Sequence, residues 1–378
     1  MKIAVVHDYF TQMGGAEKVA EELYNMLPGA DLFATVALRD KMPESLRDVP
    51  VRTSWMQRLP KLDKLYRLYF PLYPFAVSSL DLSGYDLIVS SSSGYVKGVR
   101  ADLSAIHVCY CHTPMRWVWS FDSYSSRESF GGGIRAILRT LIHGLRLWDE
   151  GAARQPDHFV ANSQAVAHRI KRAYDRYSEV IVPPIAIDRF QLSTEQDDFY
   201  VVLARLVPYK RLDLAVSAFT RLKKRLVVIG TGPALEKLKA EAGPTVEFVG
   251  RVSDHEVERY VSRCRALIFP GEEDFGMAPV EVAAAGRPTI AFRAGGAIET
   301  IVENVTGIFF DEQTTESLME AVTRFERQQW SPHVIRRHAE GFSREVFRAR
   351  FAKFLRRIGA PIEGIPEDER TASSLVSR

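Results

Sequence analysis

The sequence predicts an α/β protein built from two Rossmann-like, doubly wound domains that face a central cleft. The chain has 378 residues, well above the roughly 150 that are typical of one domain. Short β-branched runs alternate with helix-length segments almost from end to end, which is the pattern of βαβ units and parallel sheets. With 46% hydrophobic and 26% charged residues, the composition suits a globular protein with sizeable cores.

The first predicted domain covers residues 1–183. Its strands are expected at 3–7, 86–90, 105–111, 158–161 and 179–182, and its helices at 16–26, 134–153 and 164–174. Apolar runs of four to eight residues bounded by turn residues favour strands, and longer amphipathic runs favour helices.

The second predicted domain covers residues 184–343. The polar, Pro-containing stretch 183–198 predicts a linker into it, and its strands are expected at 199–204, 226–229, 246–249, 266–269, 289–292 and 308–310. A basic amphipathic helix over 344–358 is expected to pack back on the first domain, with a flexible tail at 359–378. Ligand crevices of such sheets lie at the carboxyl ends of the strands.

Charge and cysteine content exclude several classes of function. The net charge is +3, from 50 Lys and Arg against 47 Asp and Glu, so no overall basic field indicates nucleic-acid binding. Cys109, Cys111 and Cys264 have neither disulfide-framework nor metal-ligand spacing. The apolar run after Met1 is too short for a signal peptide, and no stretch reaches the 18 residues of a spanning helix. We expect a cytoplasmic protein, peripheral on the cytoplasmic membrane face.

The segment 268–292 carries the densest group of candidate site residues. An apolar strand leads into a loop with Glu273, and a helix that carries Glu281 begins near Gly276. Free N–H groups at a helix start suit phosphate or sugar oxygens, and a carboxylate accepts hydrogen bonds from sugar or ribose hydroxyls. Either glutamate taken alone is more typical of a solvated or capping carboxylate than of a binding residue.

Two cations are predicted at the start of the second domain. Arg205 follows its first strand and Lys210 precedes the next helix. Fixed positive charges of this kind stabilise a departing diphosphate. They replace a metal ion in this interpretation, and since no Asp-x-Asp stands at a strand end, no metal and no cofactor is expected.

The first domain offers a glycine pair and an acid after its first strand. Gly14 and Gly15 stand before a helix, which allows close backbone approach to an oxyanion, although such pairs are often simple turns. Asp8 is a candidate to meet the acceptor or, equally, a turn or cap residue.

Two further strand ends carry weaker signals. His112, in HVCYCHTPMRWVWSF, is a candidate contact for the donor sugar, although a lone histidine is commonly structural. The run IGTGPALEK lacks the third glycine of a dinucleotide fingerprint, so Gly232 is interpreted as a turn beside the nucleotide. Arg251 and Val252 are expected to line the base.

The run EEDFGMAPVE, followed by GRP at 286–288, resembles the Glu-x7-Glu signature of the retaining GT-B glycosyltransferases of family 4. Arg205 and Lys210 match the Arg-x4-Lys pair of that family, and Gly14 and Gly15 match its glycine-rich loop. The resemblance implies the GT-B fold and retention of anomeric configuration. It also implies that the domain 1–183 binds the acceptor and that the domain 184–343 binds the nucleotide sugar. It further implies that Glu273 binds donor-sugar hydroxyls and Glu281 the ribose hydroxyls, while amides near Phe275, Gly276 and Met277 hold sugar and phosphate oxygens.

The CHTPMRW run resembles the stretch in members that transfer mannose or related sugars in surface-polysaccharide assembly. The predicted reaction is therefore mannosyl transfer from GDP-mannose to a polyprenyl-diphosphate-linked or saccharide acceptor. A UDP-sugar-dependent transferase, a nucleotide-sugar 2-epimerase and a non-catalytic nucleotide-sugar sensor are the alternatives. Fold alone does not separate them.

Two basic, aromatic-rich segments predict contact with an anionic membrane surface. Residues 55–75 interleave Arg58, Lys61, Lys64 and Arg67 with aromatics. At roughly 100° per residue, helix 134–148 places one basic face opposite an apolar one. Such faces suit anionic lipid, but they are also typical of helices that pack on a sheet with a solvated side. The basic face comprises Arg135, Arg139 and Arg146, and the apolar one Ile137, Leu141 and Trp148.

Overall fold

The computed structural model describes residues 1–119 and 132–360, with the side chains of 132–137 excepted. The chain divides into two compact units. One comprises Met1–Pro184 and the chain from Phe347 on, and the other comprises Ile185–Val346. Each unit is built on one parallel sheet, so the predicted pair of doubly wound sheets is confirmed.

The sheet of the first unit has seven strands in the order β3-β2-β1-β4-β5-β6-β7. The strands are almost continuously buried, as expected where helices cover both faces of a parallel sheet. Their bounds are β1 Ile3–His7, β2 Asp31–Ala34, β3 Val51–Thr53, β4 Leu87–Ser92, β5 Ile106–Cys111, β6 His158–Ala161 and β7 Ser178–Val180.

Helices pack on both faces of this sheet, and the described residues of this unit form three clusters of buried apolar side chains. They are α1 Gly15–Asn25, α2 Leu62–Leu65, α3 Tyr73–Ser78, α4 Arg116–Trp119, α5 Gly132–Ala152 and α6 Gln164–Tyr174. The last helix of the described chain, Arg344–Arg357 (α14), buries Phe347, Phe351 and Leu355 in one of these clusters. The predicted tail beyond residue 360 lies outside the described residues.

The sheet of the second unit has six strands in the order β10-β9-β8-β11-β12-β13. Its strands are β8 Tyr200–Leu203, β9 Leu226–Ile229, β10 Val246–Gly250, β11 Leu267–Phe269, β12 Thr289–Phe292 and β13 Gly307–Phe310. Its helices are α7 Leu212–Leu222, α8 Leu235–Glu241, α9 Asp254–Arg263, α10 Met277–Ala284, α11 Ala297–Thr300, α12 Thr315–Glu326 and α13 Pro332–Glu340.

Each strand order reverses direction once, between β1 and β4 in the first unit and between β8 and β11 in the second. The loops that leave two such strands diverge to opposite faces of the sheet. They open a crevice at the carboxyl ends of the strands, where open α/β sheets bind their ligands. The topology therefore singles out one such switch point in each unit.

Candidate active site

The switch point of the second unit brings together two residues that the sequence separates by more than sixty positions. Lys210 ends the short turn after β8, and Glu273 lies in the loop after β11. Lys210 Nζ lies 2.7 Å from Glu273 Oε1, with 15% and 22% of the two side chains exposed. The pair is partly shielded from water, so its attraction exceeds that of a surface ion pair. Arg205, on the same turn, is exposed and has an interaction partner of its own.

Close backbone approaches hold this ion pair in place. A Cβ at Gly271 would lie 2.7 Å from Lys210 Cα, and a Cβ at Gly295 would lie 2.2 Å from the carbonyl oxygen of Glu273. The Gly296 N–H donates to that same carbonyl at 2.9 Å. Side chains at these glycines would force the two loops apart, so the glycines fix the positions of the cation and the carboxylate.

Helix α10 begins directly after this loop. Gly276, at φ +86°, is its N-cap, a backbone conformation that only glycine adopts without strain. Phe275 is buried, and Met277 opens the helix. The first-turn N–H groups lack intrahelical acceptors, as binding of sugar and phosphate oxygens requires. Glu281, one turn further on, is half-buried and has an interaction partner.

The other predicted nucleotide contacts lie along neighbouring strand ends. A Cβ at Gly232 would lie 2.2 Å from the Leu206 carbonyl oxygen, so Gly232 packs beneath the turn that carries Arg205. Arg251 and Val252 follow β10, two strands from β8, where Arg251 is exposed and Val252 half-buried.

At the switch point of the first unit, Asp8 is buried and fully engaged with backbone. Its carboxylate accepts hydrogen bonds from the N–H groups of Ser93 at 2.5 Å, Tyr95 at 2.7 Å and Val96 at 2.8 Å. Only 2% of the residue is exposed. Such bonding holds the loop after β4 against the end of β1, so the geometry favours an anchoring role for Asp8.

The Gly14–Gly15 pair opens helix α1, with Gly14 as the N-cap. Glu17, which the sequence analysis did not single out, folds back over this end and is 3% exposed. Its Oε2 lies 2.9 Å from the position that a Gly14 Cβ would occupy. Burial raises the pKa of Glu17 to about 7, against the opposing effect of N–H groups of Glu17 and Gly14. The sequence signal that could have identified Glu17 is its position, three residues after the N-cap Gly14.

His112 follows β5 and is almost fully buried. Its Nε2 lies 2.8 Å from Ser91 Oγ, and its carbonyl accepts a hydrogen bond from Asn162 Nδ2 at 3.0 Å. Burial, with a smaller contribution from His7, lowers the pKa of His112 to about 3. The ring is therefore neutral at physiological pH.

A buried ion pair that the sequence did not reveal supports the loop held by Asp8. Lys97 Nζ donates to the carboxylate of Asp149 and to the carbonyl of Gly94. Trp119 Nε1 and the Tyr174 hydroxyl donate to the second Asp149 oxygen, at 2.8 and 2.7 Å. Burial lowers the pKa of Lys97, but Asp149 more than offsets this effect and leaves it raised. Since the partners are distant in sequence, only the fold shows the pair.

The described part of the chain holds no cluster of three or more His, Cys, Asp or Glu residues placed to bind a metal ion. Cys109, Cys111 and Cys264 are buried free thiols. None of the helices among residues 1–119 and 132–360 is long and apolar enough to cross a membrane.

The surface of segment 55–75 combines basic and exposed apolar groups. Trp55, Leu68 and Phe75 are 42%, 70% and 67% exposed, and Arg58, Lys61, Lys64 and Arg67 are exposed beside them.

The predicted basic face of helix 134–148 needs a correction. Arg146 donates to the Val118 carbonyl at 2.8 Å and lies over the Trp119 ring. It packs inward, while Leu141, predicted on the opposite face, is 42% exposed. The side chains of Arg135 and Ile137 lie outside the described residues.

Two family models match the chain and together span most of it. "Glycosyltransferase Family 4" matches residues 13–189, and "Glycosyl transferases group 1" matches residues 185–342. An uncharacterized glycosyltransferase of Methanocaldococcus jannaschii is 22% identical over 335 residues, which are 85% of this chain and 87% of that protein. A GDP-mannose-dependent α-(1-6)-phosphatidylinositol monomannoside mannosyltransferase of Mycobacterium tuberculosis is 33% identical over 140 residues, 32% of this chain and 36% of the relative.

Solved structures of other proteins share the fold of this chain. Anabaena HepE, solved with UDP, aligns with a TM-score of 0.70 at 18% identity, covering 94% of this chain and all of HepE. The chain belongs to the group 1, family 4 glycosyltransferases and has the GT-B fold.

Proposed function

We propose that this glycosyltransferase moves a mannosyl group from GDP-mannose, with retention of configuration, to a polyprenyl-diphosphate-linked or saccharide acceptor. The observation that carries the proposal is the Lys210–Glu273 ion pair, fixed by glycine contacts at the switch point of the second unit. A cation for phosphate and a carboxylate for sugar hydroxyls stand there within one hydrogen bond of each other.

Each charged group has a defined task in this reaction. Lys210 and Arg205 bind the diphosphate and stabilise the negative charge that grows on it as the bond from the sugar C1 breaks. Glu273 accepts hydrogen bonds from donor-sugar hydroxyls, and Glu281 accepts them from the ribose. The α10 N-terminus, from Gly276, offers N–H groups to sugar and phosphate oxygens.

The acceptor hydroxyl attacks C1 on the face from which the diphosphate leaves. Its oxygen forms the new bond to C1 while the bond from C1 to the β-phosphate oxygen breaks, and its proton passes to that oxygen. No protein nucleophile and no metal ion is required for these bond changes. His112, neutral and buried, contacts the sugar without exchanging a proton.

The choice of mannose rests on the CHTPMRW run and on the mycobacterial mannosyltransferase relative. A UDP-sugar is the second candidate, because structures of Anabaena HepE hold UDP and UDP-glucose. The test incubates the purified protein with each nucleotide sugar, with and without lipid-linked or saccharide acceptors. Acceptor-dependent release of GDP supports the proposal. A change of donor sugar without acceptor indicates a 2-epimerase, and an unchanged donor indicates a sensor.

We also propose peripheral attachment at the cytoplasmic membrane face through segment 55–75. Exposed Leu68 and Phe75 enter the apolar boundary while neighbouring cations meet anionic headgroups. The triple variant Arg58→Glu, Lys61→Glu, Lys64→Glu should lose co-sedimentation with phosphatidylglycerol vesicles. Reversing Lys223, Lys237 and Lys239 in the other unit is the matched control. Equal sedimentation of both triple variants would contradict this attachment.

A further inference from the structure

A buried chain of hydrogen bonds crosses the three central strands of the first unit. Ser91 stands opposite His7 in the β1–β4 register, and His112 follows β5, the next strand. His7 Nδ1 lies 3.1 Å from both the carbonyl oxygen and the hydroxyl of Ser91. The same hydroxyl lies 2.8 Å from His112 Nε2. His7 is 2% exposed, Ser91 0% and His112 8%, so water does not compete for these hydrogen bonds.

The contacts with Ser91 bear on which ring nitrogens of His7 and His112 carry protons. A carbonyl oxygen only accepts, so His7 Nδ1 carries the hydrogen that it donates towards the Ser91 carbonyl. The Ser91 hydroxyl, which has one hydrogen, is then free to donate it to His112 Nε2. With Ser91 as the donor, His112 Nε2 is the acceptor, and a neutral ring then carries its proton on Nδ1.

The second nitrogen of His112 is left available. Among the described residues, the His112 ring makes its side-chain hydrogen bond through Nε2, to Ser91, and not through Nδ1. Burial lowers the pKa of His7 to about 4 and that of His112 to about 3, so neither ring takes a second proton above pH 5. A neutral N–H donor in this place suits an uncharged oxygen, such as a sugar hydroxyl.

We propose that His7 and Ser91 are positioning residues that hold His112 in the Nδ1–H tautomer, from which it donates a hydrogen bond to a hydroxyl of the donor sugar. The reaction role rests on the proposed function, whereas the tautomer does not. In this tautomer His112 is not a general base, because Nδ1 already carries a proton and Nε2 is occupied by Ser91.

The neighbouring residue supplies a matched control. Ser90 Oγ lies 2.8 Å from His107 Nε2, in a buried pair on the opposite face of β4, since successive side chains alternate. Ser90→Ala and Ser91→Ala each remove one buried hydroxyl bonded to a histidine. A purely structural role would make them equivalent.

The experiment records NMR spectra of the full-length protein labelled with ¹⁵N-histidine, with the His112 signals assigned by their loss in His112→Gln. We expect a protonated Nδ1 and an unprotonated Nε2 on His112 from pH 8 to pH 5. Ser91→Ala should move this signature towards Nε2–H, and Ser90→Ala should leave it unchanged. The kcat for transfer should fall about tenfold in Ser91→Ala, the equivalent of one hydrogen bond, and hardly at all in Ser90→Ala.

A second pair of variants keeps the test independent of misfolding. The amide nitrogen of His7→Asn takes the place of Nδ1 and should preserve the His112 signature and most activity, whereas His7→Ala should lose both. An Nε2–H signature in the wild-type protein, or one unchanged in Ser91→Ala, would overturn the tautomer assignment. Equal losses of kcat in Ser90→Ala and Ser91→Ala would overturn the positioning role. Absence of transfer by the wild-type protein with every donor would overturn the proposed function instead, while the spectra still decide the tautomer.

Discussion

Replacing Glu17 by Gln should change the pH dependence of stability in a defined way. The Glu17 carboxyl is buried over the start of α1, and burial raises its pKa from the ordinary 4.5 to about 7. In the unfolded chain the group ionises above pH 4.5, whereas in the folded protein it stays protonated until about pH 7. The unfolded state is therefore stabilised as the pH rises through this window, and folding stability is lost.

The size of the effect follows from the two pKa values. Each pH unit between them is worth about 1.4 kcal/mol, so the full loss above pH 7 is about 3 kcal/mol. A glutamine keeps an acceptor for the N–H groups but does not ionise. The free energy of unfolding of Glu17→Gln, measured relative to that of the wild type, should therefore be roughly 2 to 3 kcal/mol higher at pH 8 than at pH 5.

Urea unfolding at both pH values, followed by tryptophan fluorescence, measures this difference. Trp55, Trp117, Trp119 and Trp148 lie in the first unit, so the signal reports mainly on the unit that contains Glu17. Contributions of buried histidines cancel in the comparison of variant with wild type. The exposed Glu44→Gln serves as the control and should show no such difference. The same stability change for Glu17→Gln at pH 5 and pH 8 would show that ionisation of Glu17 does not oppose folding.

Further predictions concern the two switch points. Lys210→Ala should lower kcat by roughly 100-fold. The control is Lys224→Ala, which breaks a Lys–Glu pair of 2.8 Å elsewhere in the unit and should leave kcat unchanged. Initial rates with saturating donor measure both effects. Glu273→Ala should reduce transfer by roughly 100-fold with nucleotide affinity retained, and calorimetry showing lost affinity would contradict the assigned role. Asp149→Asn should destabilise the first unit by about 3 to 5 kcal/mol because Lys97 is left buried and unpaired, and a thermal midpoint equal to that of wild type would contradict this.

The sequence predicted the interior strands well because continuous β-branched runs are a strong local signal. It missed Asp31–Ala34 and Val51–Thr53, the short strands β2 and β3 at one side of the first sheet. Each has only three or four residues with a polar member, so its strand character depends on pairing with a neighbour. The end of β4 was predicted two residues early because Ser91 and Ser92 are weak strand formers. In the folded protein their burial, and the contacts of Ser91 with His7 and His112, keep them in the strand.

The residues of the candidate site also fall into two groups, those that a sequence motif indicates and those that only the fold reveals. Glu273 and Lys210 could be selected as candidates because each belongs to a motif with fixed spacing, although their 2.7 Å ion pair became visible only in the fold. Glu17, Ser91 and Lys97 were missed because their surroundings come from distant segments. A buried carboxyl, hydroxyl or ammonium has no sequence signature until the strands beside it are paired.

We propose that the switch point around Lys210 and Glu273 binds a nucleotide diphosphate without a metal ion. The test is calorimetric titration of GDP, UDP, ADP and dTDP, in EDTA, into the wild-type protein and into Lys210→Ala. We expect GDP to bind the wild type most tightly and Lys210→Ala to weaken this binding at least tenfold, the equivalent of one charge-assisted hydrogen bond. Undiminished binding by Lys210→Ala, or no binding of any nucleotide by the wild type, would contradict it.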